Sequence, residues 1–400
     1  MHLERIKGSK SGKLTGKKIV LGVTGSIAAI EAVKLARELV RRGAEVHAVM
    51  SGAAKNIIHP YALEFATDNR VITEITGAIE HVEFFGEGGT ADLFLIAPAT
   101  ANTIAKIAAG IDDTPVTTMA TTAIGTGKPV MIAPAMHETM MNHPSVREAI
   151  EKLKKMGIEF VEPKYEEGKA KFAEIEKICL QVERKLHRKD LEGMKIVVTS
   201  GPTMEFLDPI RYITNRSSGK FGYEIALEFW RRGAKIDLIT SRPPEFDLPD
   251  FTVRKVVSVG DMLSESLKAI ENADVFVSAA AAADFTTPRK ESKIKSDEKL
   301  ILELEIAPKV LREVRKVFDG KVIAFKAETG IDDEELERIA IDKMKTDRAE
   351  MIVANDVLER GMGTEDTRVL VITPDRKVWL EGRKQEVAER IVEYFVQDCL

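Results

Sequence analysis

The chain has 400 residues, 44% of them hydrophobic, which is enough for two or three domains that each bury a core. Its net charge of −5 and the lack of a long basic block argue against nucleic acid as a partner. Two cysteines, Cys179 and Cys399, cannot form a disulfide framework, so we predict a cytoplasmic protein. The apolar run at residues 19–30 is broken by Gly22 and Gly25, and we therefore predict neither a signal peptide nor a membrane span.

The first predicted elements are a strand, a helix and a strand within residues 14–51. The apolar opening at residues 14–21 leads into the small residues of a turn at 22–26. Apolar residues then recur at three- and four-residue steps, which indicates one face of a helix; they are Ala29, Val33, Ala36 and Val40. The sequence R-R-G-A at 41–44 predicts the helix end, because Gly43 suits a left-handed C-cap and arginines suit the negative end of the helix dipole. A second β-branched run follows, so we predict a βαβ unit with parallel strands.

The same pattern returns in the second half of the chain. Residues 191–198 match the opening at 14–21, and R-R-G-A recurs at 231–234. The apolar strands that begin at Ala91-Asp92 and Ala273-Asp274 also correspond, and both read as central strands that are buried on two faces. We therefore predict two doubly wound, Rossmann-like α/β domains in tandem, at residues 1–188 and 189–400. Two unrelated doubly wound domains would share this pattern by physics alone, so the repeat by itself does not establish a duplication.

The turn after the first strand is the first candidate site, because the strand ends of a parallel sheet bring backbone N–H groups to phosphates. Gly22, Thr24, Gly25 and Ser26 stand there, without a complete G-x-G-x-x-G fingerprint. The second strand ends at Met50-Ser51 rather than at an acid, which disfavours NAD and favours a mononucleotide.

Two later strand ends in the first half finish in A-P-A. One is A-P-A-T-A-N-T at 97–103, where Pro98 is expected to end the strand and Thr100 to cap a helix, and the other is A-P-A-M-H at 133–137. With the G-V-T-G-S turn, these runs resemble the homo-oligomeric flavin-containing cysteine decarboxylases. That resemblance implies FMN as the cofactor and the following binding residues: Gly22, Thr24, Gly25, Ser26, Ser51, Pro98, Ala99 and Thr100. It also implies that Asn102, Met136 and His137 bind the substrate, and that His81 of E-H-V-E is the catalytic base.

Two positions depart from the decarboxylase pattern. His137 stands where the bacterial family has Asn, and the region matching the family's cysteine-bearing flap, residues 163–172, contains no cysteine. Tyr165 or Lys169 could take over the proton-donor role that the resemblance assigns to the flap thiol. Cys179 lies in the following helical stretch and is interpreted as a small core residue.

The second half carries another set of polar residues at predicted strand and helix ends. The excursion at 205–216 precedes a helix whose Ser217 is expected to act as an N-cap, and it is not a Walker A loop. The motifs D-P-I-R-Y-I-T-N-R-S-S-G-K, A-A-A-D-F, K-I-K, A-E-T and A-N-D resemble the phosphopantothenate–cysteine ligases, whose bacterial members use CTP. The resemblance implies that Asn215 orients an acyl-nucleotide, that Arg211 assists it, and that Lys295 stabilises developing charge. It implies these nucleotide-binding residues: Ser217, Ser218, Gly219, Ala281, Asp284, Lys293, Lys295, Phe325, Lys343 and Lys345.

Together the two resemblances predict a bifunctional enzyme of coenzyme A biosynthesis that uses FMN, Mg²⁺ and the co-substrate CTP. The expected substrates are 4′-phosphopantothenate and cysteine, and the ligase product is the decarboxylase substrate. By analogy, the flavin half forms trimers and the ligase half dimers. Two alternatives stay open from the sequence: a tandem NAD(P)-dependent oxidoreductase, and a flavin-binding regulatory protein that has lost one or both activities.

Overall fold

A computed structural model describes residues 3–166, 169–295, 300–358 and 363–400. The chain divides into two compact units, Met1–His187 and Arg188–Leu400, each of which is described separately. None of the helices in the described ranges combines the length and apolarity needed to cross a bilayer.

The first unit contains eight strands and eight helices among its described residues. In chain order they are β1 (Lys18–Val23), α1 (Ala32–Arg41), β2 (Glu45–Met50), α2 (Pro60–Thr67), α3 (Glu80–Phe85), β3 (Leu93–Ala99), α4 (Ala101–Ala109), α5 (Pro115–Gly125), β4 (Val130–Pro134), β5 (Met136–His137), α6 (Glu138–Met141), α7 (Pro144–Lys155), β6 (Glu159–Phe160), β7 (Lys164–Glu166), β8 (Lys169–Lys171) and α8 (Ile175–Leu186). Two short 3₁₀ turns, Ile27–Glu31 and Ala54–Asn56, follow β1 and β2.

Five strands form a parallel sheet in the order β2-β1-β3-β4-β6. Both faces of this sheet are covered. Ile19 and Leu21 of β1 belong to one buried apolar cluster, whereas Val20, between them, belongs to the cluster on the other side. This alternation within a fully apolar strand is what a sheet sandwiched between helix layers requires. The predicted doubly wound α/β fold is therefore confirmed for this unit.

The second unit has the following elements: β9 (Lys195–Ser200), β10 (Met204–Phe206), β11 (Tyr212–Thr214), α9 (Lys220–Arg231), β12 (Lys235–Thr240), β13 (Phe251–Lys255), α10 (Val259–Ala269), β14 (Val275–Ser278), β15 (Phe285–Thr286), β16 (Glu305–Ile306), α11 (Val310–Arg315), β17 (Lys321–Glu328), α12 (Asp333–Thr346), β18 (Met351–Asp356), β19 (Asp366–Ile372), β20 (Lys377–Arg383) and α13 (Lys384–Cys399). Its main sheet has the order β13-β12-β9-β14-β17-β18-β19-β20. The first six strands are parallel, as predicted, and β19 and β20 add an antiparallel hairpin at one edge. Two small antiparallel pairs, β10-β11 and β15-β16, stand apart from this sheet.

The sequence repeat corresponds to repeated contacts. The carboxylate of Asp92 accepts the backbone N–H of Lys18 at 2.7 Å, and that of Asp274 accepts the N–H of Lys195 at 2.8 Å. In both units an aspartate before a central strand thus anchors the first residue of its neighbour. The glycines of the two R-R-G-A runs adopt positive φ angles, +100° at Gly43 and +104° at Gly233, which confirms the predicted left-handed helix ends.

Three local expectations differ from the structure. The strand β3 continues through Pro98 to Ala99, with a shift in its pairing to β4 between Ile96 and Ala99, so Pro98 does not end the strand. Helix α9 begins at Lys220, and its N-cap is Gly219 in a left-handed conformation, so Ser217 is not the cap. The second arginine of each R-R-G-A run is buried among carboxylates rather than placed only for the helix dipole, as Arg42 and Arg232 show.

Candidate functional site

The first unit has a cleft of about 480 Å³ at the carboxyl edge of its sheet. It lies where β1, β3 and β4 end, which is where ligands of open parallel sheets bind. Its walls are mostly apolar, and the lining residues are Gly25, Ser26, Ile27, Ala28, Thr100, Ala101, Ala135, Met136, His137, Met140, Lys171 and Phe172. Of the residues that the sequence assigned to this half, the structure brings five to the cleft: Gly25, Ser26, Thr100, Met136 and His137.

Hydroxyl groups connect the strand ends beneath this cleft. The hydroxyl of Thr24 donates to the carbonyl of Pro98 at 2.8 Å and accepts the N–H of Thr100 at 3.0 Å. Ser26 donates to the carbonyl of Ala135 at 3.1 Å, and Thr100 caps helix α4, as predicted. Thr24 is 1% exposed, so its hydroxyl serves to hold the ends of β1 and β3 together beneath the cleft.

The turn at Gly25 has no room for a side chain. A Cβ on Gly25 would lie 2.5 Å from the Cβ of Ala53, and a Cβ on Gly22 would lie 3.0 Å from the ring of Phe94. Among the described residues, the backbone N–H groups of Gly25 and Ile27 have no hydrogen-bond acceptor. Two unpaired N–H groups at a glycine turn beside an apolar cleft fit a phosphate joined to a flat apolar ring, as in FMN.

Other predicted flavin-site residues lie away from the cleft walls. Ser51 is 7% exposed; its N–H donates to the carbonyl of Val23, and its hydroxyl accepts the N–H of Ala54. Gly22, Pro98 and Ala99 are buried within strands β1 and β3. Asn102 is exposed on the first turn of α4 and is not among the lining residues.

His81 also stands apart from the cleft within the first unit. It is the second residue of the short helix α3, and its Nδ1 atom is buried without a hydrogen-bond partner among the described residues. Ile79, directly before this helix, adopts a φ of +48°, which is uncommon for a β-branched residue. A strained backbone beside an unsatisfied imidazole is the kind of feature found at functional sites.

A hairpin of β7 and β8 reaches the cleft through its pairing with β5, which contains His137. This hairpin is the region that matches the family's flap, and it brings Lys171 and Phe172 to the cleft wall. The side chains of Tyr165 and Lys169 lie outside the described part of the structure. Cys179 is fully buried in α8; burial raises the pKa of its thiol to about 12, and neighbouring Arg42 only partly opposes that effect. This confirms its interpretation as a core residue.

The second unit has a smaller cleft, about 120 Å³, between the start of α9 and the carboxyl ends of β14, β17 and β18. Its lining residues are Ser217, Ser218, Gly219, Lys220, Phe221, Gly222, Ala279, Ala280, Ala281, Phe325, Lys326, Ala327, Asn355, Val357, Thr367 and Lys384. The predicted residues Ser217, Ser218, Gly219, Ala281 and Phe325 are thus brought together. A Cβ on Gly222 would lie 2.7 Å from the hydroxyl of Ser200, so α9 approaches β9 more closely than a side chain would allow.

Three lysines line this cleft, Lys220, Lys326 and Lys384, together with a buried threonine, and Lys326 pairs with Glu328. Lys220 pairs with Glu365, and the ammonium group of Lys384 donates to the carbonyl of Thr364 at 2.6 Å. Lys384 is only 4% exposed, and its burial, together with the charge of Lys220, lowers its pKa. The hydroxyl of Thr367 is buried and has no partner among the described residues. Lys384 and Thr367 were not predicted from the sequence to belong to this site, because they lie more than 140 residues beyond Lys220 along the chain and no motif marks them.

Asn215 connects the R-Y-I-T-N loop to the small-residue strand end. Its amide donates to the carbonyl of Ala281 at 2.7 Å, and Ala281 lines the cleft. Arg211 donates to Asp208 at 3.1 Å and to the carbonyl of Ile294 at 2.9 Å, and Ile294 lies between Lys293 and Lys295. The ammonium group of Lys309 pairs with Asp284. These contacts connect Asn215 to the cleft wall at Ala281, and Arg211 to the loop that carries Lys293 and Lys295. The following predicted residues do not line the cleft: Asn215, Arg211, Asp284, Lys293 and Lys295.

Lys343 and Lys345 are not brought to this site, contrary to the expectation that the set converges on one sheet edge. They lie in the last turn of α12, which begins after β17 and runs back towards the start of β18. The N–H of Glu350, just beyond this helix, donates to the carbonyl of Val322 near the start of β17. A helix that connects parallel strands must end at their amino edge. Lys343 instead pairs with Asp347 at 2.5 Å.

Comparisons with known proteins cover both units. The model of the Flavoprotein family matches residues 7–187, and the model of the DNA/pantothenate metabolism flavoprotein C-terminal domain matches residues 191–399. A protein of Thermococcus kodakarensis named coenzyme A biosynthesis bifunctional protein CoaBC is 52% identical over 400 residues, covering 98% of this chain and 97% of that protein. A protein of the same name from Methanocaldococcus jannaschii is 42% identical, again covering 98% and 97%.

A solved structure resembles one half of the chain. The crystal structure of the DNA/pantothenate metabolism flavoprotein from Streptococcus pneumoniae is similar to 51% of this chain and to 99% of its own, with 25% identity and a TM-score of 0.46.

Proposed function

The chain belongs to the family of bifunctional coenzyme A biosynthesis proteins, and from that membership we propose how its two units divide the work. The protein is an enzyme of two consecutive steps, the ligation of phosphopantothenate with cysteine and the decarboxylation of the product. We assign decarboxylation to the first domain, residues 1–188, and ligation to the second, residues 189–400. The family match over both halves supersedes the alternative of a tandem NAD(P)-dependent oxidoreductase.

For ligation, the observation that carries the proposal is the positive cleft at the start of α9. Lys220 and Lys384, with the buried hydroxyl of Thr367, which has no partner in the described part of the chain, would form a site for the phosphates of a nucleotide, proposed to be CTP with Mg²⁺. The small residues 279–281 leave room for the ribose or base against the backbone. The pantothenate carboxylate attacks the α-phosphorus, pyrophosphate leaves, and the cysteine amine then displaces the nucleotide. We propose that Asn215 orients the acyl-nucleotide, that Arg211 assists it, and that Lys295 stabilises the developing charge.

For decarboxylation, we propose that the apolar cleft of the first unit holds FMN. The N–H groups of Gly25 and Ile27 would bind its phosphate, and Thr100 and Ser26 would stand beside it. When bound, FMN supplies a two-electron acceptor for the thiol-bearing carbon of the substrate and a donor for the final reduction. His81 is proposed to take the substrate proton, and Asn102, Met136 and His137 to contact the substrate.

We also propose that the enzyme is a cytoplasmic homo-oligomer, with trimeric contacts in the flavin half and dimeric contacts in the ligase half. Large exposed apolar side chains occur in each unit, and contacts between subunits would cover such side chains. In the first unit they include Ile27, Tyr61 and Phe65, and in the second Phe285, Ile301 and Ile306. The position of His81 away from the cleft of its own unit also supports an assembly in which a second copy completes the site.

The first experiment is mass spectrometry of the products. The purified chain would be incubated with FMN, 4′-phosphopantothenate, cysteine, Mg²⁺ and either CTP or ATP. We expect 4′-phosphopantetheine, with faster turnover on CTP. Accumulation of phosphopantothenoylcysteine, or of its decarboxylated and still oxidised enethiol, would mean that the flavin half fails without a flap cysteine.

Two substitutions test the assigned residues. His81→Asn should retain FMN and lose CO2 release, which also separates an enzyme from a flavin-binding regulatory protein. Asn215→Asp should keep the fold and block ligation, because a carboxylate cannot donate to the carbonyl of Ala281. Normal CO2 release in the first variant, or normal ligation in the second, would refute the corresponding assignment.

A further inference from the structure

Two loops of the second unit, about 80 residues apart in the sequence, are joined at one buried carboxylate. One loop, residues 207–216, carries R-Y-I-T-N, and the other, residues 287–295, carries K-I-K. Asp208 lies between them and is 0% exposed. A buried acid without hydrogen bonds would be costly, so the partners of Asp208 show what it holds in place.

Each oxygen of Asp208 has its own set of partners. Oδ1 accepts the backbone N–H groups of Ile210 at 2.7 Å and Arg211 at 2.8 Å, which closes the turn of its own loop. Oδ2 accepts the N–H of Ile294 at 3.1 Å and the guanidinium of Arg211 at 3.1 Å. The same guanidinium nitrogen donates to the carbonyl of Ile294 at 2.9 Å. Ile294 is therefore held through both its N–H and its carbonyl.

A second backbone contact joins the loops, since the N–H of Lys290 donates to the carbonyl of Leu207 at 2.9 Å. The guanidinium of Arg289 also lies 5.2 Å from the centre of the Phe206 ring. The described residues 287–295 form no strand or helix, and the strands before and after them along the described chain, β15 and β16, have two residues each. The contacts with the neighbouring loop therefore help to fix the position of the K-I-K loop.

We propose that Asp208 is a positioning residue for ligation, which fixes the K-I-K loop so that Lys293 and Lys295 face the reacting phosphate and carboxylate. This inference rests on the proposed role of Lys295. Misplacing a charged group by about 1 Å is enough to cost a large part of its catalytic effect. Asp208 itself does not touch the substrate.

The carboxyl group of Asp208 is charged at neutral pH, which suits this role. Burial would raise its pKa, but the N–H groups of Ile210, Arg211 and Ile294 and the charge of Arg211 lower it to about 2. The carboxylate therefore keeps its charge and all its acceptor positions at pH values well above 2.

The test is Asp208→Asn in the full chain. An amide can still accept the N–H groups of its own turn through its oxygen, but its NH2 group then faces two donors, the N–H of Ile294 and the guanidinium of Arg211. We expect kcat for ligation to fall about tenfold or more with a much smaller change in KM for the nucleotide. Trypsin should cleave after Lys295 about fivefold faster or more, because the loop opens more often.

Controls in the same molecule separate positioning from a general loss of structure. Decarboxylation of added phosphopantothenoylcysteine should be unchanged, and so should the melting temperature within a few degrees. Asp261→Asn is a matched variant, since Asp261 also accepts two backbone N–H groups, at Val257 and Ser258, but in the capping box of α10, whose N-cap is Ser258. It should leave the kcat for ligation and the cleavage after Lys295 unchanged.

A second pair of variants changes Ile294, the partner of Asp208 in the other loop, in case Asp208→Asn does not fold. Ile294→Pro removes the N–H that Asp208 accepts, whereas Ile294→Ala keeps it. We expect the proline variant alone to lose ligation and gain cleavage after Lys295.

The proposal is overturned if either pair shows ligation and cleavage both unchanged, or if only one of the two changes. Lys295→Ala reports separately on the proposed function. If that variant ligates normally while Asp208→Asn frees the loop, the role of Lys295 is wrong and the connection between the loops stands as a structural contact.

Discussion

The substitution Arg42→Met tests a buried ionic cluster that joins helices α1 and α8 of the flavin unit. The guanidinium of Arg42 is 2% exposed and lies 2.8 Å from Glu38, 2.7 Å from Glu176 and 2.9 Å from Glu183. Methionine has a similar apolar length but no charge, so the three carboxylates would keep their positions and lose their shared cation. Glu183 is itself 2% exposed and cannot turn to solvent without unpacking α8.

The size of the effect follows from removing a buried cation from its carboxylates. Glu38 keeps Arg41 and Lys10 as partners and Glu176 keeps Lys10, so the loss falls mainly on Glu183. Breaking a buried ion pair by removing one partner costs about 3–5 kcal/mol in the free energy of unfolding. For a unit of this size, Met1–His187, each kcal/mol lowers the melting temperature by about 2–4 °C, so we expect a decrease of about 6–20 °C. The double variant Arg42→Met, Glu183→Gln should recover part of the loss, because it also removes the most deeply buried carboxylate charge.

Differential scanning calorimetry of the full chain measures this, with the transition of the second unit as an internal reference. Lys34→Met is the matched control: Lys34 is 69% exposed and pairs with Glu31 on the same helix segment. It should change the free energy of unfolding by less than about 0.5 kcal/mol. A shift no larger than that in Arg42→Met would refute the reasoning, since it would mean that water or neighbouring groups already stabilise the carboxylates.

Three further predictions concern the same unit. Gly25→Ala should weaken FMN binding about tenfold in a fluorescence titration, because the new Cβ would lie 2.5 Å from the Cβ of Ala53. Gly52→Ala is the control and should bind FMN normally, because its Cβ would meet nothing within 4 Å. Equal FMN affinities of the two variants would contradict the assignment of the turn at Gly25 to the phosphate. Cys179→Ala should still form phosphopantetheine. Native Cys179 should resist thiol reagents at pH 8, since burial raises the pKa of its thiol to about 12. Loss of turnover in the flavin-loaded Cys179→Ala variant would contradict the interpretation of Cys179 as a core residue. Burial would raise the pKa of Glu38, but hydrogen bonds from Arg41 and Arg42 lower it from 4.5 to about 2, so its contribution to stability is present above pH 4.5 and lost as pH falls towards 2. Urea unfolding between pH 7 and 2 should show this loss of stability, and the Glu38→Gln variant should show a weaker dependence of stability on pH. Identical pH profiles for the two proteins would contradict the role assigned to Glu38.

Much of the fold was predictable because its signals are local. Apolar strands, a helix face that repeats every three or four residues and a glycine at the helix end all act within a few residues of one another. Gly43 and Gly233 adopt the predicted left-handed conformation, and Thr100 caps α4. The parallel strands of both main sheets follow from the βαβ order, whereas the antiparallel hairpin of β19 and β20 does not. The local signal failed at Ser217, where Gly219 provides the helix start without a side-chain cap.

The sequence predicted the candidate sites only to the extent that it predicted where the strands end. The sequence placed Gly25 and Ala281 at strand ends, and the structure finds both lining clefts. It could not show that the hydroxyl of Thr24 is used by Pro98 and Thr100, since that contact depends on which strands are neighbours. Lys343 could have been excluded from the sequence, because it stands at the end of a helix that connects two predicted parallel strands, and such a helix ends at the amino edge of the sheet.

The sequence by itself therefore determined the two α/β units, the order of their elements and the motifs that mark each candidate-site loop. Only the tertiary structure decided which side chains meet: Lys384 with Lys220 at one cleft, and Asp208 with Ile294 between two loops. The physical reason is the separation along the sequence of the residues that interact. Helix caps, turns and apolar periodicity depend on interactions between residues close in sequence, whereas contacts across 80 or more residues depend on strand order and on the direction of each connection, which the folded sheet alone fixes.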